Sequence, residues 1–150
     1  MIAIVQRVSS GGVFIKEENY RREIGNGIVI LLGVKERDGF EEMKFVADKC
    51  ANLRIFGDEN GKMNLSLKDV NGEALVISQF TLYGDTRKGN RPSYADAAKP
   101  EEANELYQMF VERMKENIGA EKVKTGIFGA MMEVKIINDG PVTLIVKSKE

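Results

Sequence analysis

Histidine and tryptophan are absent from this chain of 150 residues, and cysteine occurs only once. Histidine is the commonest general base and metal ligand, so its absence excludes a Ser-His-Asp or Cys-His catalytic arrangement. A single cysteine cannot supply a zinc site, and no paired Asp/Glu motif marks a magnesium site at a predicted strand end. We therefore expect no metal and no cofactor. The chemistry left to the chain uses hydroxyls, carboxylates, backbone amides and groups of the substrate.

Long apolar runs are also missing. The longest, residues 28–32, is far too short to cross a lipid bilayer, and no basic-then-apolar leader opens the sequence. Cys50 lies on an apolar stripe with helical spacing, which favours a buried structural thiol over a nucleophile. A lone cysteine also fits a reducing compartment. We expect a cytoplasmic protein without a membrane partner.

The composition, 43% hydrophobic and 30% charged, is typical of one globular domain that covers residues 1–150. The formal net charge of −1 argues against strong non-specific binding to nucleic acid. A nucleic-acid substrate would need a local basic patch instead. Arg87, Lys88 and Arg91 are the best candidates for phosphate contacts, and a solvated surface loop is the competing interpretation.

The hydrophobic periodicity predicts two amphipathic helices, over residues 40–54 and from Pro100 to about residue 118. A turn is predicted over residues 9–12, where two serines precede two glycines. The helices fall between groups of strands without regular βαβ alternation, which indicates an α+β fold with a mostly antiparallel or mixed sheet. The predicted strands are 2–8, 13–16, 21–24, 28–34, 53–56, 74–81, 132–137 and 142–147.

The end of the strand over 74–81 carries an unusual succession of polar groups: Ser78, Gln79, Phe80 and Thr81. Backbone N–H groups at an irregular strand end can donate to a developing oxyanion. The Thr81 hydroxyl is a candidate nucleophile or water ligand, although no base is evident near it in sequence. Periodicity alone favours a simpler interpretation, in which these residues cap a sheet edge.

Two separated motifs carry a family resemblance. The segment from Ser78 to Tyr83 and the segment from Asn138 to Thr143 both resemble signatures of the D-aminoacyl-tRNA deacylases. Residues 6–8, 52–56 and 87–89 are also similar to that family, so the resemblance spans the chain. It implies a strongly curved, barrel-like sheet with two helices packed outside, assembled as a homodimer. It also implies hydrolysis of the ester bond of D-aminoacyl-tRNA.

The resemblance gives the Gly140–Pro141 pair a function in chirality. It implies a cis bond inserted into the partner subunit's pocket, where rigid carbonyls exclude an L side chain. Glycine has no side chain to exclude, so activity on glycyl-tRNA, including glycine mischarged on tRNA-Ala, is expected as well. Without the resemblance, the composition Asp-Gly-Pro-Val before a strand is that of a common turn.

The catalytic interpretation favoured here is substrate-assisted. The terminal adenosine of the tRNA has a vicinal ribose hydroxyl, and backbone amides of Gln79 to Thr81 would polarise the ester carbonyl. Thr81 as a covalent nucleophile is the lesser option. Two other functions stay open: a non-catalytic dimer that binds tRNA ends as an editing accessory, and an esterase acting on small molecules.

Supporting residues are expected around these motifs. Arg7 either anchors the Gly-Pro segment through its carbonyls or is an exposed strand arginine. Phe80 and Tyr83 are candidates to stack on the terminal adenine, with core packing favoured for Phe80. Gly84 and Tyr94 replace the alanine and phenylalanine common in the family, and neither is expected to contact the site.

Overall fold

Residues 1–149 are described by a computed structural model of the protein. The described chain contains two α-helices, α1 (Phe40–Asn52) and α2 (Pro100–Ile118). It contains eight strands: β1 (Ile2–Ile15), β2 (Tyr20–Ile24), β3 (Gly27–Gly33), β4 (Phe56–Gly57), β5 (Met63–Leu65), β6 (Glu73–Ser78), β7 (Val123–Thr125) and β8 (Glu133–Lys147).

Six of these strands form one mixed sheet with the order β2-β1-β3-β6-β7, and β8 pairs with β1. The pairs of β1 with β2, β3 and β8 are antiparallel, whereas β3, β6 and β7 run parallel. The sheet curves into a nearly closed barrel. The α+β class, the barrel-like sheet and the two outer helices are therefore confirmed.

The predicted turn over residues 9–12 is wrong, because β1 continues through it. The strand bends there without stopping: its register against β8 shifts between Gln6 and Val8 and again between Val8 and Ser10. Gly11 permits a close approach at the bend, since an added Cβ would lie 2.9 Å from Cγ2 of Val29. The glycines that suggested a turn thus serve strand curvature.

Three other boundaries differ from the predictions. β6 ends at Ser78, and a 3₁₀ turn over Phe80–Tyr83 replaces its last predicted residues. β8 is one strand across the predicted gap between residues 137 and 142. α1 ends at Asn52, and the predicted strand over 53–56 is reduced to its last residue as part of β4.

The core has two parts, one on each face of the sheet. The larger packs β1, β3 and β6 against α1 and α2, and the smaller includes Val29, Leu75 and Ile77. Tyr107 of α2 donates a hydrogen bond of 2.7 Å to the carbonyl of Val76, which fixes α2 against β6 just before the polar strand end. Neither α-helix in residues 1–149 is long and apolar enough to cross a bilayer.

Cys50 lies in the larger core, 1% exposed. Burial raises the pKa of its thiol to about 12, because the charged thiolate is poorly solvated there. The predicted structural thiol is confirmed, and a nucleophilic function is excluded by burial and protonation together.

Candidate active site

The polar strand end forms a defined backbone structure. The amide of Gln79 donates to the carbonyl of Leu32 at 2.7 Å, which extends the pairing of β3 with β6 by one bond. The chain then turns into the 3₁₀ segment, closed by a bond of 2.9 Å from the Gly84 amide to the Thr81 carbonyl. The first N–H groups of a helical segment have no acceptor within it. The amides of Phe80 and Thr81 therefore begin the turn as available donors.

The Thr81 side chain is exposed and contacts an amide rather than a base. Its hydroxyl accepts a hydrogen bond from the side-chain nitrogen of Gln79. A carboxamide cannot remove the hydroxyl proton, so this contact orients Thr81 without activating it as a nucleophile. Gln79 and Thr81 are brought together as the motif suggests, with Ser78 half-buried at the end of β6.

Phe80 differs from its prediction. The sequence favours core packing for this residue, whereas its side chain is 55% exposed. It forms an edge-to-face pair with Tyr94, with ring centroids 5.1 Å apart. Phe80 cannot enter the core because the 3₁₀ turn directs its side chain away from the sheet while Leu82 packs back near Gly33.

The Gly-Pro motif forms a bulge in β8, here called the Gly-Pro bulge (residues 139–142). β1 pairs with Asn138 on one side of the bulge and with Thr143 on the other. The Asn138 side chain donates to the carbonyls of Arg7, at 2.9 Å, and Val142, at 3.1 Å, and so closes the base of the bulge. Asn138 belongs to the same motif as Gly140 and Pro141, so the motif itself contains a residue that stabilises the bulge.

Arg7 holds the same bulge from β1. Its Nε donates to the carbonyl of Asp139 at 3.2 Å and lies 3.3 Å from the Asp139 carboxylate. Its Nη1 donates to the carbonyl of Ile55 at 2.6 Å. Gly140 has φ of 103°, and an added Cβ would overlap the Arg7 guanidinium. Only glycine fits this position without displacing the arginine.

The cis bond implied for Gly140–Pro141 is absent: the described residues contain no cis peptide bond. An X–Pro bond favours trans by about 0.5–1 kcal/mol, so a cis bond depends on contacts that hold it. In the single chain both residues are exposed at the tip of the bulge. The trans bond is the form expected for a tip without such contacts.

The two halves of the predicted site lie apart within one chain. Ser78 aligns with Leu32, Leu32 with Ala3, and Ala3 with Val146, so the strand end and β8 are three strands apart. Strand spacing puts them roughly 14 Å apart across the sheet. Pro141 lies five residues before Val146 on β8, which adds about 16 Å along the strand. A single chain does not join the Gly-Pro bulge to the strand end.

The basic loop that follows the strand end is closed by a bridge between Asp85 and Ser93. Arg87 is neutralised within it by hydrogen bonds of 2.9 and 2.7 Å to the Asp85 carboxylate. These bonds lower the pKa of Asp85 to about 2. Lys88 and Arg91 are exposed and form no ion pair with the described residues. The loop therefore offers two unpaired cations rather than three.

Gly84 and Tyr94 contact each other and the site, which corrects the expectation that they lie outside it. An added Cβ at Gly84 would lie 2.9 Å from Cε1 of Tyr94. Glycine at this position lets the tyrosine ring pack against the 3₁₀ turn and reach Phe80. Gly84 and Tyr94, the two residues that differ from the family pattern, are neighbours in space although ten positions separate them in the sequence.

A surface hollow lies next to the 3₁₀ turn of residues 80–83. The hollow, of about 960 Å³, includes Leu82 and Tyr83 in its lining, together with side chains of both charges. Among residues 1–149, no group of three or more His, Cys, Asp and Glu side chains is arranged to hold a metal ion.

Comparison with known proteins matches nearly the whole chain. Residues 4–147 match the family model described as D-Tyr-tRNA(Tyr) deacylase. The D-aminoacyl-tRNA deacylase of Thermosipho africanus is 53% identical over 151 residues, covering 100% of this chain and 99% of that protein. The protein of that name from Clostridium botulinum is 54% identical, with the same coverage.

Two solved structures share the fold. A protein titled c-Myc DNA Unwinding Element Binding Protein is 39% identical, with a TM-score of 0.93 and coverage of 100% of both chains. A probable eukaryotic D-amino acid tRNA deacylase is 15% identical, with a TM-score of 0.84 and coverage of 97% of both chains. At that identity, the second likeness concerns the fold alone.

The fold and these relatives define a class, the tRNA deacylases. Within it, the chain belongs to the D-aminoacyl-tRNA deacylase family.

Proposed function

We propose that this protein hydrolyses the ester bond of D-aminoacyl-tRNA and releases the free D-amino acid and the tRNA. Family membership over residues 4–147 supports the activity. The observation that carries the proposal is the start of the 3₁₀ turn, where the amides of Phe80 and Thr81 are available beside an exposed hydroxyl. Such donors suit the oxyanion formed when an ester is attacked.

The chemical step requires little from the side chains. Water attacks the ester carbonyl, whose oxygen takes up negative charge and accepts hydrogen bonds from the backbone amides of Phe80 and Thr81. The Gln79 amide, expected from the sequence to take part, is already bound to the Leu32 carbonyl. The bond between the carbonyl carbon and the ribose oxygen then breaks, and the ribose oxygen takes up the proton that the attacking water loses. The vicinal ribose hydroxyl orients the water, so the RNA supplies the group that a histidine supplies elsewhere. Thr81 orients these groups through its contact with Gln79.

Chiral selection is assigned to the Gly-Pro bulge. Its exposed tip presents backbone carbonyls that leave room for a hydrogen but not for an L side chain. Arg7 and Asn138 stabilise that shape from its base. Exclusion of this kind discriminates the configuration at the α-carbon and does not depend on which side chain the D-amino acid carries. Broad tolerance of D-amino acids follows, and glycyl-tRNA, including glycine mischarged on tRNA-Ala, is a further substrate.

A homodimer would bring the two halves of the site together, because one chain keeps them apart. β8 carries the Gly-Pro bulge and also exposes the apolar side chains of Ile137, Leu144 and Ile145, the last of them 63% exposed. Exposed apolar side chains grouped on one strand are typical of an interface. In this arrangement the bulge of one subunit enters the site formed by residues 78–81 of its partner.

The ion pairs of the basic loop reduce the three cations proposed for tRNA binding to two. Lys88 and Arg91 are available to phosphates of the acceptor stem, whereas Arg87 is already bound to Asp85. The loop begins two residues after the 3₁₀ turn. A net charge of −1 argues against non-specific binding to nucleic acid, but local cations beside the site can still contact phosphates. The proposed place of action is the cytoplasm, where charged tRNA is found.

The activity is tested by incubating the protein with D-tyrosyl-tRNA and measuring release of free D-tyrosine. We expect turnover without added metal. The competing function, a non-catalytic editing accessory, predicts binding of the charged tRNA with no release above the buffer rate. That second result would refute the proposed hydrolysis. A small-molecule esterase instead predicts salt-insensitive turnover of simple esters.

A further inference from the structure

We propose that Phe80 and Tyr94 form a stacking platform for a base in the unpaired 3′ end of the tRNA, beside the reactive ester. The proposal rests on the proposed function, which supplies the RNA substrate. It adds Tyr94, a residue outside the sequence motifs, and assigns the exposed face of Phe80 to base recognition.

The first observation is exposure. Phe80 is 55% exposed and Tyr94 is 41% exposed, although both rings contact each other. Their interplanar angle is 65° and their centroids are 5.1 Å apart. In an edge-to-face pair, the ring that contributes its edge keeps both of its faces clear of its partner. An aromatic face in solvent is the element on which proteins stack the bases of single-stranded nucleic acid.

The second observation is that this geometry is fixed by several local contacts. Backbone bonds of 2.7 and 3.0 Å join Asp85 and Ser93 and close the loop over residues 86–92. Tyr94 follows Ser93 directly, so the bridge holds its ring beside the 3₁₀ turn. Gly84 leaves space for that ring, since a Cβ there would lie 2.9 Å from Tyr94 Cε1. The platform is therefore preorganised, which lowers the entropic cost of binding.

The third observation is charge. The loop closed by this bridge carries Lys88 and Arg91, both exposed and without an ion-pair partner among the described residues. A nucleotide presents an apolar base face and an anionic phosphate a few ångströms apart. The aromatic rings suit the base face, and the unpaired cations suit the phosphate. The Asp85 carboxylate, at one end of this loop, is already bound to Arg87, so its charge is partly neutralised and repels a phosphate less.

The fourth observation is position. Phe80 precedes Thr81, and its backbone amide begins the turn proposed to bind the ester carbonyl. A base held on the Phe80 ring is therefore within one nucleotide's reach of the reacting bond. The tRNA acceptor end is unpaired, so its bases are free to stack on protein rings.

The test uses a single-stranded RNA oligonucleotide ending in 3′-CCA, uncharged, with the fluorescent base 2-aminopurine in place of the terminal or of an internal base. Binding to the protein should quench the fluorophore at one of these positions through stacking. Tyr94→Leu should weaken binding about 10-fold and remove the quenching, since stacking on one ring contributes at this scale. Tyr94→Phe retains the ring and should behave as the natural protein does.

Matched control variants show whether a loss of binding in Tyr94→Leu comes from lost stacking. Phe40→Leu removes another exposed ring, 50% exposed on α1, and should change neither affinity nor quenching. Lys88→Ala should weaken binding and lower the salt dependence by about one charge without abolishing the quenching. Thermal unfolding of each variant, followed by circular dichroism, verifies that it is folded.

Three results would overturn the platform. The first is unchanged affinity and quenching in Tyr94→Leu, and the second is an equal loss in Phe40→Leu. The third is a change of oligomeric mass in Tyr94→Leu, which would make the aromatic pair a subunit contact. Hydrolysis of D-tyrosyl-tRNA is measured separately. Quenching without hydrolysis refutes the proposed function alone, whereas hydrolysis without quenching refutes the platform alone.

Discussion

Single residues in this site act mainly through the backbone that they shape. Gln79 contacts the Thr81 hydroxyl through an amide, and the donors proposed for the oxyanion are peptide N–H groups. Side-chain substitutions should therefore cost less activity than they do in enzymes whose nucleophile is a side chain. A chain without histidine can hold such a site because the reaction needs orientation more than proton transfer.

Thr81→Ala tests this account at the residue that most resembles a nucleophile. We expect single-turnover hydrolysis of D-tyrosyl-tRNA to fall by about 10-fold or less, because water attacks and Thr81 only orients. Thr81→Ser provides the control that keeps the hydroxyl. A loss near 10⁴-fold in the alanine variant, with activity kept in the serine variant, would instead identify a covalent threonine.

Arg7→Met tests the support of the Gly-Pro bulge. The substitution keeps an unbranched side chain but removes the donors to Asp139 and Ile55. We expect hydrolysis of L-tyrosyl-tRNA to rise relative to D-tyrosyl-tRNA, because a loosened bulge excludes L side chains less well. An unchanged ratio of the two rate constants, in a folded variant, would show that the bulge keeps its shape without Arg7.

Among the elements, the two helices are joined by a charged contact remote from the site. Asp48 of α1 accepts bonds of 2.8 and 2.9 Å from Arg113 of α2, and a third of 2.9 Å from Asn117. The Arg113 hydrogen bonds, more than the Asn117 bond, lower the pKa of Asp48 from 3.8 to about 2. A lowered carboxyl pKa stabilises the folded state above the unfolded pKa and loses that contribution on acidification.

Asp48→Asn should therefore lower the free energy of unfolding at pH 7 by about 1 kcal/mol, a value reduced for partial solvent screening. The difference between variant and natural protein should shrink as the pH falls from about 4 to about 2. Urea unfolding at several pH values measures it, with the exposed Glu105→Gln on α2 as the control. A difference that stays constant down to pH 2 would contradict the assigned ion pair.

The elements also show where sequence reasoning succeeds and fails. α2 was predicted closely because Pro100 and Gly119 mark its ends and its apolar stripe has helical spacing. The end of β6 was misplaced because the residues of the 3₁₀ turn, Phe80 to Tyr83, are themselves good strand formers. The Phe80–Tyr94 contact was missed because the Asp85–Ser93 bridge that creates it is a tertiary feature.

At the scale of the whole molecule, the proposed site needs two copies of the chain acting together. The Gly-Pro bulge and the strand end are on different parts of the sheet in one chain, and β8 exposes apolar side chains beside the bulge. The homodimer and the shared site are thus one hypothesis, suggested first by family resemblance and supported by this separation.

Ile145→Glu tests the assembly. A charge at a residue that is 63% exposed in one chain should leave the fold intact but be unfavourable in an apolar interface. Sedimentation should show the natural protein at about twice 16.7 kDa and the variant at the mass of one chain, with hydrolysis lost together with the dimer. A natural protein that is monomeric and active would contradict the shared site.

The most direct measurement of the central claim compares the rates at which the protein releases tyrosine from D-tyrosyl-tRNA and from L-tyrosyl-tRNA under the same single-turnover conditions. The account predicts rapid release of D-tyrosine, while the L ester decays at its spontaneous rate. Equal release from both, or release from neither, would contradict it.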